Sequence, residues 1–259
     1  MLIAFNTERN QRMNDKCSGT GFINKRITFL SGGFLLKGVL HLPSTDKPPL
    51  VIGSHGLESS GDSPKQKALA EKCNKAGIAF FRFDHRGCGN SEGNFPEVTS
   101  LESRREDLIS AYKTIMEIKA TSKHTGLFGS SFGGTVCLSA AETIHPASIV
   151  TFAAPVRSSS IAEAIKKTDL SEKIRPLFHK RNFQFDISDS LPFIDHILVI
   201  HGDRDSIVPA SNALEIYRHI SEPKKLLIQK GGDHLMTNPV HQQEFMEETL
   251  IWFKSHFYN

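Results

Sequence analysis

The feature that most constrains the fold of this chain is the pentapeptide Gly129-Ser130-Ser131-Phe132-Gly133, which is set between an apolar run and a stretch of small residues. Residues 126–128 before it can end a buried strand, and residues 134–141 after it can form a helix. A G-x-S-x-G sequence at such a junction places its serine on a tight turn with the hydroxyl exposed. The flanking glycines leave space that a side chain would fill. The pattern predicts a nucleophilic Ser131 at a helix N-terminus, where free N–H groups favour negative charge.

Short, wholly apolar runs alternate with amphipathic segments along the rest of the chain. Strands that are buried on both faces of a parallel sheet have this composition, and the alternation predicts helices between them. In the first of these helices, 64–76, we expect Leu69 and Cys73 to face inward and Lys65 to face solvent. Thr99 and Glu102 fit a capping box for a long helix. The predicted strands are 26–30 and 34–42 as a hairpin, then 50–53, 78–83, 126–128, 148–153, 197–200 and 225–228.

These elements predict an α/β fold, with a mostly parallel central sheet and helices on both faces. Residues 1–25 are polar and irregular, so we expect a loose N-terminal extension followed by one domain over 26–259. Segment 156–191 does not fit the alternation. It is either a surface helix with a connecting loop or a small lid over Ser131, and we favour the lid because long insertions are usually functional.

Composition and charge are those of an ordinary water-soluble protein. The net charge of +3 and the absence of a basic block give no reason to expect nucleic acid or an anionic membrane as a partner. No apolar run has the length of a signal peptide core or a membrane span. The cysteines, at 17, 73, 88 and 137, are scattered, which favours reduced thiols and a cytoplasmic location.

A base and an acid for Ser131 follow later in the chain. Asp205 comes after the apolar run 197–200, and His234 comes after the run 225–228. The carboxyl ends of parallel strands meet at one edge of a sheet, so the three side chains should converge there. In this arrangement the histidine takes the serine proton and the aspartate orients the imidazole. Asp203 is the alternative acid, but the turn before Pro209 should point Asp205 inward.

The loop after the run 50–53 begins Ser54-His55-Gly56-Leu57. An oxyanion hole needs one N–H from such a loop and one from the residue after the nucleophile, which predicts the backbone N–H groups of Leu57 and Phe132 as donors. We expect the His55 ring to tie down local backbone rather than to act as the base. The chain shows no histidine spacing typical of a metal hydrolase, so we expect neither a metal nor a cofactor.

Residues 84–91, Asp-His-Arg-Gly-Cys-Gly-Asn-Ser, should form a tightly turned loop because of their glycines. A phosphate-binding loop is the competing interpretation, but the Gly-Lys-Ser/Thr sequence is missing and the glycine spacing differs. Asp84 and Arg86 are therefore expected to form a structural ion pair or to anchor backbone.

Taken together, the motifs at 55–57, 84–91, 129–134, 201–209 and 232–234 resemble those of the α/β-hydrolase superfamily. The chain resembles small bacterial esterases of the cinnamoyl/feruloyl kind, which are also described as serine aminopeptidase-like hydrolases. The resemblance spans about residues 26–257. It implies a catalytic triad of Ser131, Asp205 and His234, with Leu57 and Phe132 as oxyanion donors.

The expected activity is cofactor-free hydrolysis of a small-molecule carboxylic ester with a small or medium acyl group, through an acyl-serine intermediate. A thioesterase or peptidase would use the same triad, because the pocket alone decides between these substrates. A non-catalytic binding protein is the remaining alternative, although no member of the triad is missing. Nothing in the sequence indicates the oligomeric state.

Overall fold

The computed structural model describes residues 22–165, 177 and 183–258, and its centre is one eight-stranded sheet. In chain order the strands are β1 Ile23–Ser31, β2 Phe34–Leu42, β3 Leu50–Ser54, β4 Ala79–Phe83, β5 Thr125–Ser130, β6 Ser148–Phe152, β7 Ile197–Gly202 and β8 Lys224–Gln229. Their spatial order is β1-β2-β4-β3-β5-β6-β7-β8. Strand β2 is antiparallel to both of its neighbours, and all other pairs are parallel. The predicted mostly parallel sheet is confirmed.

Helices cover both faces of this sheet. They are α1 Pro64–Lys75, α2 Phe95–Val98, α3 Leu101–Ile118, α4 Phe132–Ile144, α5 Ser158–Ile165, α6 Ser211–His219 and α7 Pro239–Phe257, with a 3-10 helix at Ser188–Phe193. Two apolar clusters result, one on each face. The residues of α3, α4 and α6 enter the first, and those of α1 and α7 enter the second. Strands β3 and β6 are buried along their whole length, as expected for mainly apolar strands inside a parallel sheet.

Most predicted strands begin or end one to three residues away from the observed boundaries, and two differences have a clear physical cause. Strand β1 begins at Ile23, inside the predicted extension, because Ile23 pairs with Leu42 and lengthens the hairpin ladder. Helix α3 is capped by Ser100 and not by Thr99. The Ser100 hydroxyl accepts from the Ser103 N–H at 3.0 Å, and the Ser103 hydroxyl accepts from the Ser100 N–H at 2.9 Å. Two serines thus satisfy the free donors that the predicted Thr–Glu pair was expected to satisfy.

Most of the predicted extension (1–21) and parts of the predicted lid (166–176 and 178–182) lie outside the described residues. The described parts of the lid segment are an outgoing arm, 156–165, which contains helix α5, the isolated residue Leu177, and a return arm, 183–191. Arg157 and Asp186 join the two arms through a β-bridge and a side-chain ion pair at 2.7 Å. Within the described ranges, no helix is long and apolar enough to span a membrane.

Candidate active site

Ser131 lies on the sharp turn between β5 and α4, where it adopts φ 54° and ψ −128°. A positive φ is strained for a residue with a side chain, and surrounding packing must hold it. The flanking glycines allow that packing. A Cβ at Gly129 would lie less than 3.0 Å from Gly133 O, and one at Gly133 would lie that close to Ser54 O. The space argument for these glycines is confirmed, because β3, β5 and α4 meet here without side chains between them.

The structure brings the three predicted catalytic side chains together. His234 Nε2 lies 3.1 Å from Ser131 Oγ, and His234 Nδ1 lies 2.7 Å from Asp205 Oδ2. A carboxylate accepts hydrogen bonds, so Nδ1 carries the proton and Nε2 is free to accept from the serine. The Asp205 side chain is fully buried, whereas the His234 side chain is 15% exposed. The order of hydrogen bonds is thus serine to imidazole to carboxylate.

Asp205 is held by donors other than His234. Its Oδ1 accepts from the N–H groups of Ile207 and Val208, both at 2.8 Å. His201 Nε2, which donates to the Val208 carbonyl at 2.8 Å, lies 3.3 Å from Asp205 Oδ2. Burial alone would raise the pKa of Asp205, but the hydrogen bonds from His201, His234 and Val208 together hold that pKa well below its usual range. Asp205 is therefore an anion fixed in one orientation.

The two other aspartates have different partners. Asp203 Oδ1 accepts from the Gly231 N–H at 2.6 Å, so it ties the loop after β7 to the loop after β8. The Asp233 carboxylate accepts from the hydroxyl and N–H of Thr237, within its own loop. Neither bonds to His234, and Asp205 is the aspartate that the geometry selects.

The two residues predicted to supply oxyanion donors are Phe132, which follows Ser131, and Leu57, which follows Gly56 on the loop after β3. Neither the Leu57 N–H nor the Phe132 N–H donates a hydrogen bond to any described residue. Phe132 is the first residue of α4, where N–H groups have no partner within the helix. Gly56 adjoins the nucleophile, since a Cβ built on it would lie 3.5 Å from Ser131 Cβ. The Phe132 N–H thus lies at a helix N-terminus that favours negative charge, and the Leu57 N–H belongs to the loop that adjoins Ser131.

Beneath the loop after β3 lies a buried histidine pair. His55 Nδ1 is 2.8 Å from the Gly56 carbonyl, and its Nε2 accepts from the His85 N–H at 3.1 Å. The prediction that the His55 ring ties down backbone is confirmed. The His85 ring bridges Ser54 Oγ at 2.9 Å and Asp107 Oδ2 at 3.4 Å. The pair thereby joins the ends of β3 and β4 to α3.

Asp84 and Arg86 do not form an ion pair with each other. Asp84 accepts from the N–H groups of Gly61 and Asn90, at 2.7 and 2.8 Å, and is a backbone anchor. The Arg86 guanidinium binds Asp107 at 2.6 Å and is 7% exposed. Each residue thus fits the expected structural role through a separate partner.

Arg104 is a site residue that the sequence analysis missed. It is fully buried on α3, and its guanidinium donates to the carbonyls of Gly56 at 3.1 Å and Leu57 at 2.8 Å. The signal was present in the sequence, because Arg104 stands three residues after Leu101 and four before Leu108. A basic residue on the apolar stripe of a helix needs a buried partner.

The expectation that Lys65 faces solvent is wrong. Its Nζ lies 3.3 Å from Ser130 Oγ and 3.8 Å from the centre of the Phe152 ring. Burial lowers the pKa of Lys65 to about 8, against the opposing effect of Asp205 and Asp233. The long side chain crosses from the first turn of α1 to the sheet edge, and helical periodicity alone does not show that reach.

Aromatic rings from the return arm of the predicted lid segment pack on the residue after the nucleophile. The rings of Phe183 and Phe185 have centres 5.1 and 5.3 Å from that of Phe132. All three side chains are buried. In the part of the chain that the structure describes, no group of three or more His, Cys, Asp or Glu side chains could hold a metal ion.

Residues 46–188, more than half of the chain, match the family described as serine aminopeptidase, S33. The chain belongs to this family. It is 29% identical over 214 residues to the mitochondrial palmitoyl-protein thioesterase ABHD10 of Mus musculus, covering 73% of this chain and 70% of that protein. It is 23% identical to the monoacylglycerol lipase of Mycolicibacterium smegmatis, covering 87% of this chain and 95% of the lipase.

Among solved structures, the Pyrococcus furiosus esterase PF2001 aligns with a TM-score of 0.79 and 21% identity, covering 96% of each chain. Such a likeness shows the fold alone. Together with the family match, it confirms the α/β-hydrolase fold and the superfamily membership that the sequence motifs predicted.

Proposed function

We propose that this α/β-hydrolase is a serine hydrolase that cleaves a carboxylic ester of a small or medium acyl group through an acyl-serine intermediate. The observation that carries the proposal is the continuous hydrogen-bond chain from Ser131 Oγ through the His234 ring to Asp205. Similarity to a monoacylglycerol lipase supports an ester as the substrate.

The geometry suits each step of acyl transfer. As Ser131 Oγ attacks the ester carbonyl, His234 Nε2 takes its proton, and Asp205 stabilises the imidazolium that forms. The histidine then gives the proton to the alkoxide oxygen, which leaves as the alcohol. Water repeats the sequence on the acyl-serine, and the acid is released. Because Asp205 is already an anion with fixed hydrogen bonds, little reorganisation accompanies the charge on His234.

In both tetrahedral intermediates the carbonyl oxygen becomes an anion. The free N–H groups of Leu57 and Phe132 are the donors proposed to stabilise it. Removal of one such donor typically costs about 3 kcal/mol of transition-state stabilisation. The N-terminus of α4 adds a favourable dipole at the same place.

Thioester hydrolysis is a second candidate, favoured by the 29% identity to a palmitoyl-protein thioesterase. The chemistry differs only at the leaving group. A thiolate leaves without full protonation, so a thioester depends less on proton delivery by His234 than an ester with an alkyl alcohol does. A His234→Ala enzyme would therefore lose ester turnover more completely than thioester turnover.

The test is hydrolysis of p-nitrophenyl esters from acetate to decanoate, beside the matching acyl-CoA thioesters and an aminoacyl p-nitroanilide. Wild type is compared with Ser131→Ala and with Ser130→Ala, which changes the neighbouring hydroxyl. We expect ester turnover that is lost in Ser131→Ala and retained in Ser130→Ala. Turnover of thioesters alone would favour thioester hydrolysis over ester hydrolysis as the activity. Labelling by a fluorophosphonate probe checks Ser131 independently of substrate, and absence of both labelling and turnover would favour a non-catalytic binding protein.

A further inference from the structure

Arg104 is a fully buried cation whose partners are backbone carbonyls. Besides Gly56 and Leu57, its guanidinium reaches the His55 carbonyl at 3.4 Å and Cys88 Sγ at 3.3 Å. Among the described residues, no carboxylate lies within 4.0 Å of it. A buried charge without a carboxylate is costly, and here successive carbonyls of one loop compensate it.

The direction of these carbonyls fixes the direction of the neighbouring N–H groups. In a planar trans peptide, the carbonyl of one residue and the N–H of the next point to opposite sides. The Gly56 carbonyl points to Arg104, so the Leu57 N–H points away from Arg104. That N–H is the proposed oxyanion donor, and the Gly56–Leu57 peptide adjoins Ser131.

Arg104 also contacts the second donor residue. Its guanidinium carbon lies 5.3 Å from the centre of the Phe132 ring. A guanidinium near an aromatic face gains a cation–π attraction, which is strongest when both groups are desolvated. One side chain on α3 therefore contacts both residues whose N–H groups are proposed to form the oxyanion hole.

We propose that Arg104 is a positioning residue for the oxyanion hole, which orients the Leu57 N–H by binding the Gly56 and Leu57 carbonyls. The inference rests on the proposed function, because an oxyanion hole matters only if an acyl group is transferred. It assigns no contact between Arg104 and substrate. Without the guanidinium, the Gly56 carbonyl keeps only its contact with the His55 ring and the Leu57 carbonyl loses its Arg104 donor. The Gly56–Leu57 peptide is then held less firmly, and its N–H is less well aimed at the anion.

The experiment replaces the guanidinium in two steps. Arg104→Lys keeps the charge and reaches fewer carbonyls, and Arg104→Met removes the charge. The matched control is Arg105→Lys, since Arg105 also binds a carbonyl of another element, Ser139 O at 2.7 Å, which lies on α4 and not on the loop after β3. For each variant we would measure kcat, KM, the Ki of a trifluoromethyl ketone, the rate of fluorophosphonate labelling and Tm.

The expected results follow from loss of one oxyanion donor. For Arg104→Lys, kcat and the labelling rate should fall by about 10- to 100-fold, and for Arg104→Met by about 100-fold or more. KM should stay within about threefold, because the donor acts mainly in the transition state. The Ki of the ketone, whose adduct carries the oxyanion, should rise in proportion to the loss in kcat/KM. Arg105→Lys should stay within about twofold of wild type in each of these measurements.

Three results would overturn the proposal. The first is a folded Arg104 variant with wild-type kcat and labelling rate. The second is a loss that appears in KM and spares the ketone affinity. The third is failure of both Arg104 variants to fold while Arg105→Lys folds, which would make Arg104 a purely structural residue. Failure of the proposed function is distinguishable, because wild type would then neither turn over esters nor label at Ser131.

Discussion

At the residue scale, Asp203 and Asp205 lie only two positions apart in the chain but accept hydrogen bonds from different donors. Asp205 receives two backbone N–H groups and two histidine rings, whereas Asp203 receives the Gly231 N–H. The donors to Asp205 orient its carboxylate toward the His234 ring, whereas the Gly231 N–H links Asp203 to the loop after β8. A one-atom change, from carboxylate to amide, therefore has different consequences at the two positions.

We expect Asp205→Asn to lower kcat by about 10³- to 10⁴-fold with little change in KM, because an amide NH2 cannot accept the His234 Nδ1–H and the wrong tautomer is favoured. Asp203→Asn should retain kcat within about threefold, since it alters one hydrogen bond away from the ring. Steady-state kinetics of the two variants, made and assayed in parallel, test this. Equal losses in both variants would contradict the assignment of Asp205.

Lys65 gives a pH-dependent prediction, because its folded-state pKa of about 8 lies below the ordinary lysine value of 10.5. The charged groups that face it are Asp205 and Asp233, and Ser130 and Phe152 contact its amine. Between pH 8 and 10.5 the unfolded chain binds more protons at Lys65 than the native state does. The contribution of Lys65 to stability therefore rises through this range and is lost as the pH falls through 8.

A Lys65→Met variant should thus gain stability relative to wild type at pH 7 and lose that advantage by pH 10. Between pH 7 and pH 10, the difference in free energy of unfolding between variant and wild type should change by about 1–2 kcal/mol. A pKa unit corresponds to about 1.4 kcal/mol, and partial exposure of Lys65 reduces the effect. Urea unfolding at both pH values measures it, with Lys67→Met as the exposed control from the same helix turn. A difference that does not change with pH would contradict the prediction.

Sequence reasoning reached Ser131, Asp205 and His234 because each follows a short apolar strand, and their chain order matches a known arrangement. The structure shows that these side chains meet. Sequence reasoning missed the contacts of Arg104 and Lys65, whose partners lie 47 and 65 positions away in the chain, on the loop after β3 and at the end of β5. Neither residue stands in a motif, and only the packed structure shows which carbonyl or hydroxyl each one reaches.

At the scale of elements, the close approach of β3, β5 and α4 depends on backbone packing against backbone. The strands were predictable from their apolar composition, and the turn from its glycines. The sequence pattern did not determine which residue caps α3, because Thr99 and Ser100 both suit an N-cap. The cap is the residue whose hydroxyl accepts from the third N–H of the helix, that of Ser103.

The turn that carries Ser131 gives a sharp test of how β3, β5 and α4 pack. Gly133→Ala would place a Cβ against the Ser54 and His55 carbonyls, so β3 and α4 must separate. We expect a loss of stability of about 3 kcal/mol or more, or failure to fold. Gly33→Ala is the control: its φ of 85° is strained for alanine, but nothing lies within 4 Å of the new Cβ. Its cost should be about 1–2 kcal/mol. Chemical denaturation of the two variants compares them, and equal costs would contradict the packing argument.

At the scale of the whole molecule, the buried polar groups beneath the site connect the strand ends to helix α3. His85 stands at their centre, and the titratable or charged groups that face it are Asp107, His55, Arg86 and Arg104. Burial lowers the pKa of His85 to about 4, although Asp107 acts in the opposite direction. Burial likewise holds the pKa of His55 well below its ordinary value. Both rings are therefore neutral in the native protein at pH 7.

Neutral buried histidines make the fold sensitive to acid. Between pH 6.5 and 4 the unfolded chain protonates His85 while the native state does not, so this part of the stability is present above pH 6.5 and is lost as the pH falls toward 4. For a fully buried ring, a pKa that is lowered from 6.5 to about 4 corresponds to about 3 kcal/mol of the free energy of unfolding. In His85→Gln the amide can still bond to Ser54 and Asp107 but does not titrate. The variant should be less stable than wild type at pH 7, and the gap should narrow by about 2–3 kcal/mol at pH 4.5. Urea denaturation at the two pH values measures this difference in free energy of unfolding, with the exposed His124→Gln as the control. A difference that is the same at both pH values would show that His85 is not the residue through which acid unfolds the protein.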